Sequence, residues 1–76
     1  MNKERRKKLE EVQAQLEEIQ SELEAVMEEE QEAFDNLNES FKNGERGEIM
    51  TAAIDNMQEA LDSIESAIDS VSSASE

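Results

Sequence analysis

The chain contains no cysteine, histidine, proline, tryptophan or tyrosine, and its only aromatic residues are Phe34 and Phe41. Without cysteine there is no disulfide framework, no zinc–thiolate site and no thiol nucleophile. Without histidine, the commonest general base and transition-metal ligand is missing. A chain of 76 residues buries only about 60% of the surface that its unfolded form exposes. Its core therefore needs support from very regular helix packing or from self-association.

Acidic residues outnumber basic residues by 21 to 7, which gives a net charge of -14. No apolar run approaches the roughly 18 residues that a membrane span needs, and the basic segment 3–8 is not followed by the apolar stretch of a signal peptide. We therefore expect a cytoplasmic location. An acidic surface repels nucleic acid and anionic membranes, so the expected partner is a protein with a basic surface.

The first half of the chain carries an apolar residue at every third or fourth position. The residues of this pattern are Leu9, Val12, Leu16, Ile19, Leu23 and Val26. Their heptad spacing predicts an amphipathic helix. Glu30 occupies the next core position and interrupts the pattern, which Met27, Ala33, Phe34 and Leu37 resume on a slightly rotated face.

Asparagine and glycine residues are concentrated in the middle of the chain and predict a turn. Both residue types tolerate the left-handed backbone with which many helices end. We expect helix 1 over about 3–37, the turn over about 38–43 and helix 2 over about 44–73. Asn43 is expected to cap helix 2, because its side chain can accept a hydrogen bond from a free backbone N–H.

The second half of the chain repeats with a period of seven residues. One core row is Ile54, Leu61 and Ile68, a second is Met50, Met57, Ile64 and Val71, and the flanking row is Ala53, Ala60, Ala67 and Ala74. The alanines widen the apolar stripe beyond the seam of a two-stranded coiled coil, which favours a bundle. We therefore predict an all-α fold in a single domain, residues 1–76. It is an antiparallel, coiled-coil-like two-helix hairpin that forms a homodimeric four-helix bundle.

Folding the two segments back on each other pairs residues whose numbers sum to about 87 or 88, for example Leu23 with Ile64 and Ile19 with Ile68. In this register helix 1 overhangs helix 2 by roughly 10–15 Å at its N-terminal end. The residues expected in the core or the oligomer interface are Leu16, Ile19, Leu23, Val26, Phe34, Ile54, Met57, Leu61, Ile64 and Ile68.

Residues 9–76 hold 20 acidic and 2 basic side chains, for a net charge of -18. On a hairpin about 50 Å long, this is about 60% of the charge density of duplex DNA. Such a surface can recognise a basic partner, or it can serve only to keep a coiled coil soluble. The candidate partner-binding residues are Glu28, Glu29, Glu30, Glu32, Asp35, Asp55, Asp62 and Asp69.

No residue pattern predicts catalysis, a metal site or a cofactor. The serines have no histidine or evident lysine partner, and the 35–48 region lacks the ligand spacing of a calcium-binding loop. The loop 43–48 lacks a phosphate-binding glycine motif, so we interpret it as a connecting turn. The basic segment 3–8 is expected to pair with acidic residues near the end of helix 2 or of a partner subunit. Contact with a nucleic acid or a membrane is the alternative for this segment.

Three short motifs resemble small acidic proteins of phages and prophages of Gram-positive bacteria. The motifs are Glu-Ala-Phe-Asp-Asn-Leu at 32–37, Glu-Arg-Gly-Glu at 45–48 and Ala-Ile-Asp-Asn at 53–56. Those proteins often carry a proline after the Asn-Leu pair, where this chain has Asn38. The resemblance therefore does not fix the residue at which helix 1 ends. The resemblance implies an origin in a mobile element and carries no assigned activity.

Three functions are compatible with these features, and none is enzymatic. The first is an inhibitor that imitates DNA and docks in the basic channel of a host nucleic-acid or defence enzyme. The second is a structural or assembly protein for which the coiled-coil dimer is itself the product. The third is a regulator that docks its helices on a signalling protein through Leu9 and Val12.

Overall fold

A computed structural model describes residues 1–76 and is all-helical. Its helices are α1 (Lys3–Asp35), α2 (Glu39–Lys42) and α3 (Glu45–Ala74). α1 and α3 pack against each other in a body 58 Å long and 14 by 11 Å across. Helices of 33 and 30 residues are about 50 and 45 Å long, so they fit this length only if α3 folds back along α1. The predicted all-helical, hairpin-like architecture is confirmed.

The ends of α1 are set by two asparagines. Asn2 is the N-cap, and its side-chain oxygen accepts a hydrogen bond from the backbone N–H of Arg5 at 2.8 Å. This bond satisfies one of the backbone donors that the first turn leaves free. At the other end Asn36 closes the helix: its backbone N–H donates to the Glu32 carbonyl at 3.1 Å, and the N–H of Leu37 donates to the Phe34 carbonyl at 3.1 Å. α1 therefore stops two residues before the predicted end at residue 37.

The segment predicted as a turn contains the short helix α2. Asn38 is its N-cap and accepts hydrogen bonds from the backbone N–H of Phe41 at 3.3 Å and from the Ser40 hydroxyl at 2.8 Å. Asn43 closes α2 as its C-cap, whereas α3 begins at Gly44, which makes no side-chain capping bond. The prediction that Asn43 caps helix 2 is therefore wrong, because Asn43 lies at the end of α2 and the residue before α3 is Gly44.

Gly47 brings α2 close to α3. It is one of the two buried residues of the chain, together with Leu61. A Cβ atom at this position would overlap the carbonyl oxygen of Lys42 and would lie 2.8 Å from Lys42 Cα. No residue has a positive φ angle, so the left-handed backbone expected in the turn is not used. Glycine is needed at 47 because the backbone of α2 lies directly on the first turn of α3.

The two aromatic rings lie at the turn end of the hairpin. Each has beside it one of the two basic residues within 9–76. The Lys42 ammonium is 5.7 Å from the centre of the Phe34 ring, and the Arg46 guanidinium is 5.6 Å from the centre of the Phe41 ring. Both distances are within the range of cation–π attraction. The two positive charges within residues 9–76 are therefore held against aromatic rings at one end of the molecule.

The seam between α1 and α3 uses a different pair of rows on α1 from the pair that the sequence predicted. One half-buried row is Leu9, Leu16, Leu23, Glu30 and Leu37, and the other is Gln13, Gln20, Met27 and Phe34. Ile19 and Val26, predicted to be in the core or the oligomer interface, are 48% and 51% exposed. Ile19 therefore lies beside the seam and not in the core position that the sequence predicted. Burying Met27 and Phe34 near the turn rotates α1, and this rotation places the two glutamines in the seam.

The seam of α3 follows the predicted rows. Leu61 is 7% exposed, and Ile54, Met57, Ile64 and Ile68 are half-buried. Leu16, Leu23 and Phe34 on α1 are likewise half-buried. Two helices cover only one side of each other, which explains why Leu61 is the one apolar side chain that is buried. None of the helices has the length and apolar character needed to cross a membrane.

Candidate interaction surfaces

The two sides of the hairpin differ in chemistry because each helix has two different rows beside its seam. On α1 one flanking row is Val12, Ile19, Val26 and Ala33, and the other is Glu10, Glu17, Glu24 and Gln31. On α3 the equivalent rows are Ala53, Ala60, Ala67 and Ala74, and Thr51, Gln58, Glu65 and Ser72. In heptad notation the apolar rows occupy position g and the polar rows position e. In an antiparallel pair the two g rows lie on one side and the two e rows on the other.

The apolar face is formed by the two g rows. Its members are Val12, Ile19, Val26, Ala33, Ala53, Ala60, Ala67 and Ala74. The three branched side chains of α1 are between 42% and 51% exposed. Only two carboxylates, Glu22 and Glu29, occupy the neighbouring outer row on this side. A continuous apolar stripe of this length on a small protein is typical of a surface that contacts another protein.

The acidic face is formed by the e rows and the outer rows next to them. Its carboxylates are Glu10, Glu17, Glu24, Glu28, Asp35, Glu48, Asp55, Asp62, Glu65, Asp69 and Glu76. No basic residue within 9–76 occupies these rows. Every acidic residue of the chain is exposed except Glu30, which is half-buried. The hairpin is therefore acidic on one side and apolar on the other.

The candidate partner-binding residues fall into three groups in the structure. Asp55, Asp62 and Asp69 lie in the outer row of α3 on the acidic face, and Glu28 and Asp35 lie in the equivalent outer row of α1. Glu32 lies on the outer edge of α1, Glu29 lies on the apolar side, and Glu30 lies in the seam. The structure thus separates residues that the sequence treats as one cluster.

Local hydrogen bonds hold some of these carboxylates without neutralising them. The Gln31 side-chain amide donates to Asp35 at 3.0 Å, and the Gln58 amide donates to Asp62 at 3.1 Å. Such pairs four residues apart add a few tenths of a kcal/mol to a helix. They orient the carboxylate and leave its charge available to a partner. No group of three acidic side chains is close enough together to hold a metal ion.

The N-terminal turns of α1 join a basic surface to an apolar one. A shallow depression of about 240 Å³ is lined by Met1, Arg5, Lys8, Leu9 and Val12. Met1 is 58% exposed. Arg5 and Lys8 lie on the same side as the apolar face, whereas Lys3 and Lys7 lie on the side of the acidic face. The apolar face therefore continues into a basic N-terminal end.

Sequence reasoning missed the two-sided character of the hairpin and the exposure of Val12, Ile19 and Val26. The signal that could have revealed both was the presence of Gln13 and Gln20 in line with Met27 and Phe34.

No family model, curated protein or solved structure matches the chain. The interaction surfaces are therefore interpreted from their own chemistry.

Proposed function

We propose that the protein is a non-enzymatic interaction protein whose acidic face occupies the basic, nucleic-acid-binding surface of an enzyme and inhibits it. One observation carries this proposal: eleven exposed carboxylates lie on one side of the hairpin, with no basic residue within 9–76 in the same rows. Charge that only keeps a protein soluble does not have to lie on one side of the molecule. Charge that binds a basic channel does have to be concentrated on the side that enters the channel.

Charge density supports imitation of a nucleic-acid backbone. A duplex as long as the 58 Å hairpin carries about 34 phosphate charges. The net charge of -18 on residues 9–76 is roughly half of that. Two copies of the chain, with their basic ends included, carry -28, which is about four-fifths of the DNA value over the same length. Dimerisation would therefore bring the protein close to the charge density of DNA.

The proposed active form is a homodimeric four-helix bundle in which the apolar faces are covered. The chain exposes 5657 Å², whereas a compact monomer of 8.6 kDa exposes about 4,700 Å². The excess of about 1,000 Å² is similar to the roughly 800 Å² that each partner buries in a standard interface. Covering the apolar faces leaves both acidic faces on the outside.

The resemblance to phage-encoded acidic proteins is part of this proposal. A mobile element meets host restriction, CRISPR and DNA-repair enzymes, all of which bind DNA through basic channels. A target of this kind implies that the protein acts in the host cytosol. Glu28, Asp35, Asp55, Asp62 and Asp69 are the proposed contacts, since they lie in the two outer rows of the acidic face.

The second candidate is a structural or assembly protein, and the regular apolar face favours it. In that case the dimer spaces or bridges other components, and the acid only keeps it soluble. A regulator that docks on a signalling protein would instead use the N-terminal depression, where Leu9 and Val12 are accessible. These two alternatives depend on apolar contacts, so their binding should resist salt.

The test is a bacterial lysate passed over the immobilised protein and eluted with a salt gradient. We expect one nucleic-acid enzyme to elute at moderate salt and to be displaced by duplex DNA, because binding through charge weakens steeply with ionic strength. The purified enzyme should bind the Asp62→Asn/Asp69→Asn variant at least about tenfold more weakly. Two neutralised contacts, each worth about 0.7 kcal/mol or more, account for this factor.

The matched control is Glu18→Gln/Glu22→Gln, which removes the same charge from outside the acidic face and outside the segment 28–39. It should bind the enzyme almost as well as the unchanged protein. Equal losses for both variants would contradict recognition by the acidic face. Partners whose binding resists salt and is lost when Leu9 or Ile64 is substituted would favour the assembly or regulator alternatives.

A further inference from the structure

The branched residues in the apolar row of α1 are symmetric about Ile19. Val12, Ile19 and Val26 are seven residues apart, so the order valine, isoleucine, valine is the same from either end. Two copies that run antiparallel would place Ile19 against Ile19 of the second copy and Val12 against its Val26. The alanine row of α3 has the same symmetry. A single two-fold axis perpendicular to the helices can therefore serve both rows.

The charge at the two ends of the hairpin decides between the possible orientations. The N-terminal segment 3–8 carries five basic residues and one acidic residue, whereas 28–39 near the turn carries six acidic residues and no basic one. A two-fold axis along the bundle would bring two basic segments together at one end and two acidic segments at the other. Like charges at a separation close to a Debye length repel one another.

We propose that two copies pair through their apolar faces in antiparallel orientation, so that the basic segment 3–8 of each copy lies against the acidic segment 28–39 of the other. This inference rests on the proposed dimer and specifies its interface. In this arrangement α1 packs on α1 of the second copy and α3 on α3 of the second copy. The turns lie at opposite ends of the bundle.

The shape of the hairpin allows an interface of sufficient size. A face 58 Å long and 14 Å wide provides about 800 Å² on each copy, the area of a standard dimer interface. Arg5 and Lys8 lie on the side that meets the second copy, whereas Lys3 and Lys7 lie on the other side. The N-terminal end therefore presents both its depression and two of its cations to the second copy.

The orientation can be measured with one spin label per chain, since the protein has no cysteine of its own. Asn43→Cys places the label at the exposed turn. In the antiparallel dimer the two labels should be about 60 Å apart, because each turn lies about 20 residues from the axis along α1. A distance below about 30 Å would place both turns at one end. That result would overturn the orientation and leave the proposed dimer intact.

Charge reversal gives a second measurement with a matched control. Arg5→Glu/Lys8→Glu should raise the dimer dissociation constant about tenfold, whereas Lys3→Glu/Lys7→Glu changes the net charge equally and should raise it less than about threefold. Equal effects of the two variants would overturn the proposed contact. A monomeric mass for the unchanged chain would overturn both this pairing and the proposed dimer. Binding of a basic enzyme by the acidic face is tested separately, by the salt gradient.

Discussion

At the scale of single residues, Gly47 and Glu30 show how strongly a two-helix core depends on its few close contacts. Gly47 lets the backbone of α2 rest on α3, where any Cβ would overlap Lys42. Glu30 is the one acidic residue that is not fully exposed, and it occupies a position of the seam row that otherwise holds leucine. The first residue closes the turn end tightly, and the second weakens the seam next to it.

We predict that Gly47→Ala destabilises the hairpin by about 1–3 kcal/mol, the usual cost of forcing extra atoms into a packed contact. The added methyl group must push α2 away from α3, because the overlapping atoms belong to backbone. Urea unfolding followed by helical circular dichroism, at one protein concentration, measures the change.

The matched control for this prediction is Gly44→Ala. A Cβ at position 44 would lie 3.3 Å from the Ser40 carbonyl oxygen, and the backbone there has a negative φ angle. This substitution should cost less than about 1 kcal/mol. Equal costs for the two glycines would show that the close approach of α2 to Gly47 does not contribute to stability.

At the scale of helices, periodicity was enough to predict α1 and α3 but not the face through which they meet. On α1 the leucine row at 9, 16 and 23 can form a seam with the row on either side of it. The row with Val12, Ile19 and Val26 is more apolar over the first half of α1, so sequence reasoning chose it. Met27 and Phe34 decide otherwise because they lie next to the turn, where the two helices must be in contact.

The acidic surface was likewise predicted only in part. The excess of carboxylates and the row of Asp55, Asp62 and Asp69 follow directly from composition and the seven-residue repeat. Their separation from the apolar face does not, because it depends on how α1 is rotated about its axis. α2 was missed because four residues are too few to show a period, although Asn38 in front of them is a typical N-cap residue.

The capping role of Asn38 leads to a prediction about α2. Asn38→Ala removes the acceptor for the Phe41 N–H and the Ser40 hydroxyl, and it should lower the free energy of unfolding by about 1 kcal/mol. The loss should be local. The substitution should therefore accelerate amide hydrogen exchange more at Phe41 than at residues in the middle of α3. Nuclear magnetic resonance exchange rates and urea unfolding measure the two effects.

Asn36→Ala serves as the control for the capping prediction. Asn36 closes α1 through its backbone N–H, which alanine keeps, so this variant should change stability by less than about 0.5 kcal/mol. If the two substitutions cost the same, the Asn38 side chain is not what holds α2 in place.

At the scale of the whole molecule, the hairpin cannot cover its own apolar surface. Each helix buries one side of its stripe against the other helix, and the g rows remain outside because two helices form only one seam. In the proposed dimer a second hairpin would add the missing layer, as in a four-helix bundle. The alanine rows suit this role, since small side chains let two α3 helices approach closely, while Val12, Ile19 and Val26 would fill the space between two α1 helices.

We predict a mass of about 17 kDa by light scattering for the unchanged chain and about 8.6 kDa for a variant with Val12, Ile19 and Val26 all changed to glutamine. The three side chains are 42%, 48% and 51% exposed in the single hairpin, so glutamine, a good helix former, should disrupt association more than the helices themselves. The circular dichroism spectrum of the variant should therefore remain helical at low temperature.

The control changes Glu10, Glu17 and Glu24, on the opposite side of α1, to glutamine. It should remain a dimer. Its dimer dissociation constant should decrease, because each copy loses three negative charges and the repulsion between the copies is weaker. A triple glutamine variant of the apolar face that keeps a mass near 17 kDa would show that the copies meet through another surface. A control that becomes monomeric would show that they meet through the acidic face, which could not then be free to bind a basic partner.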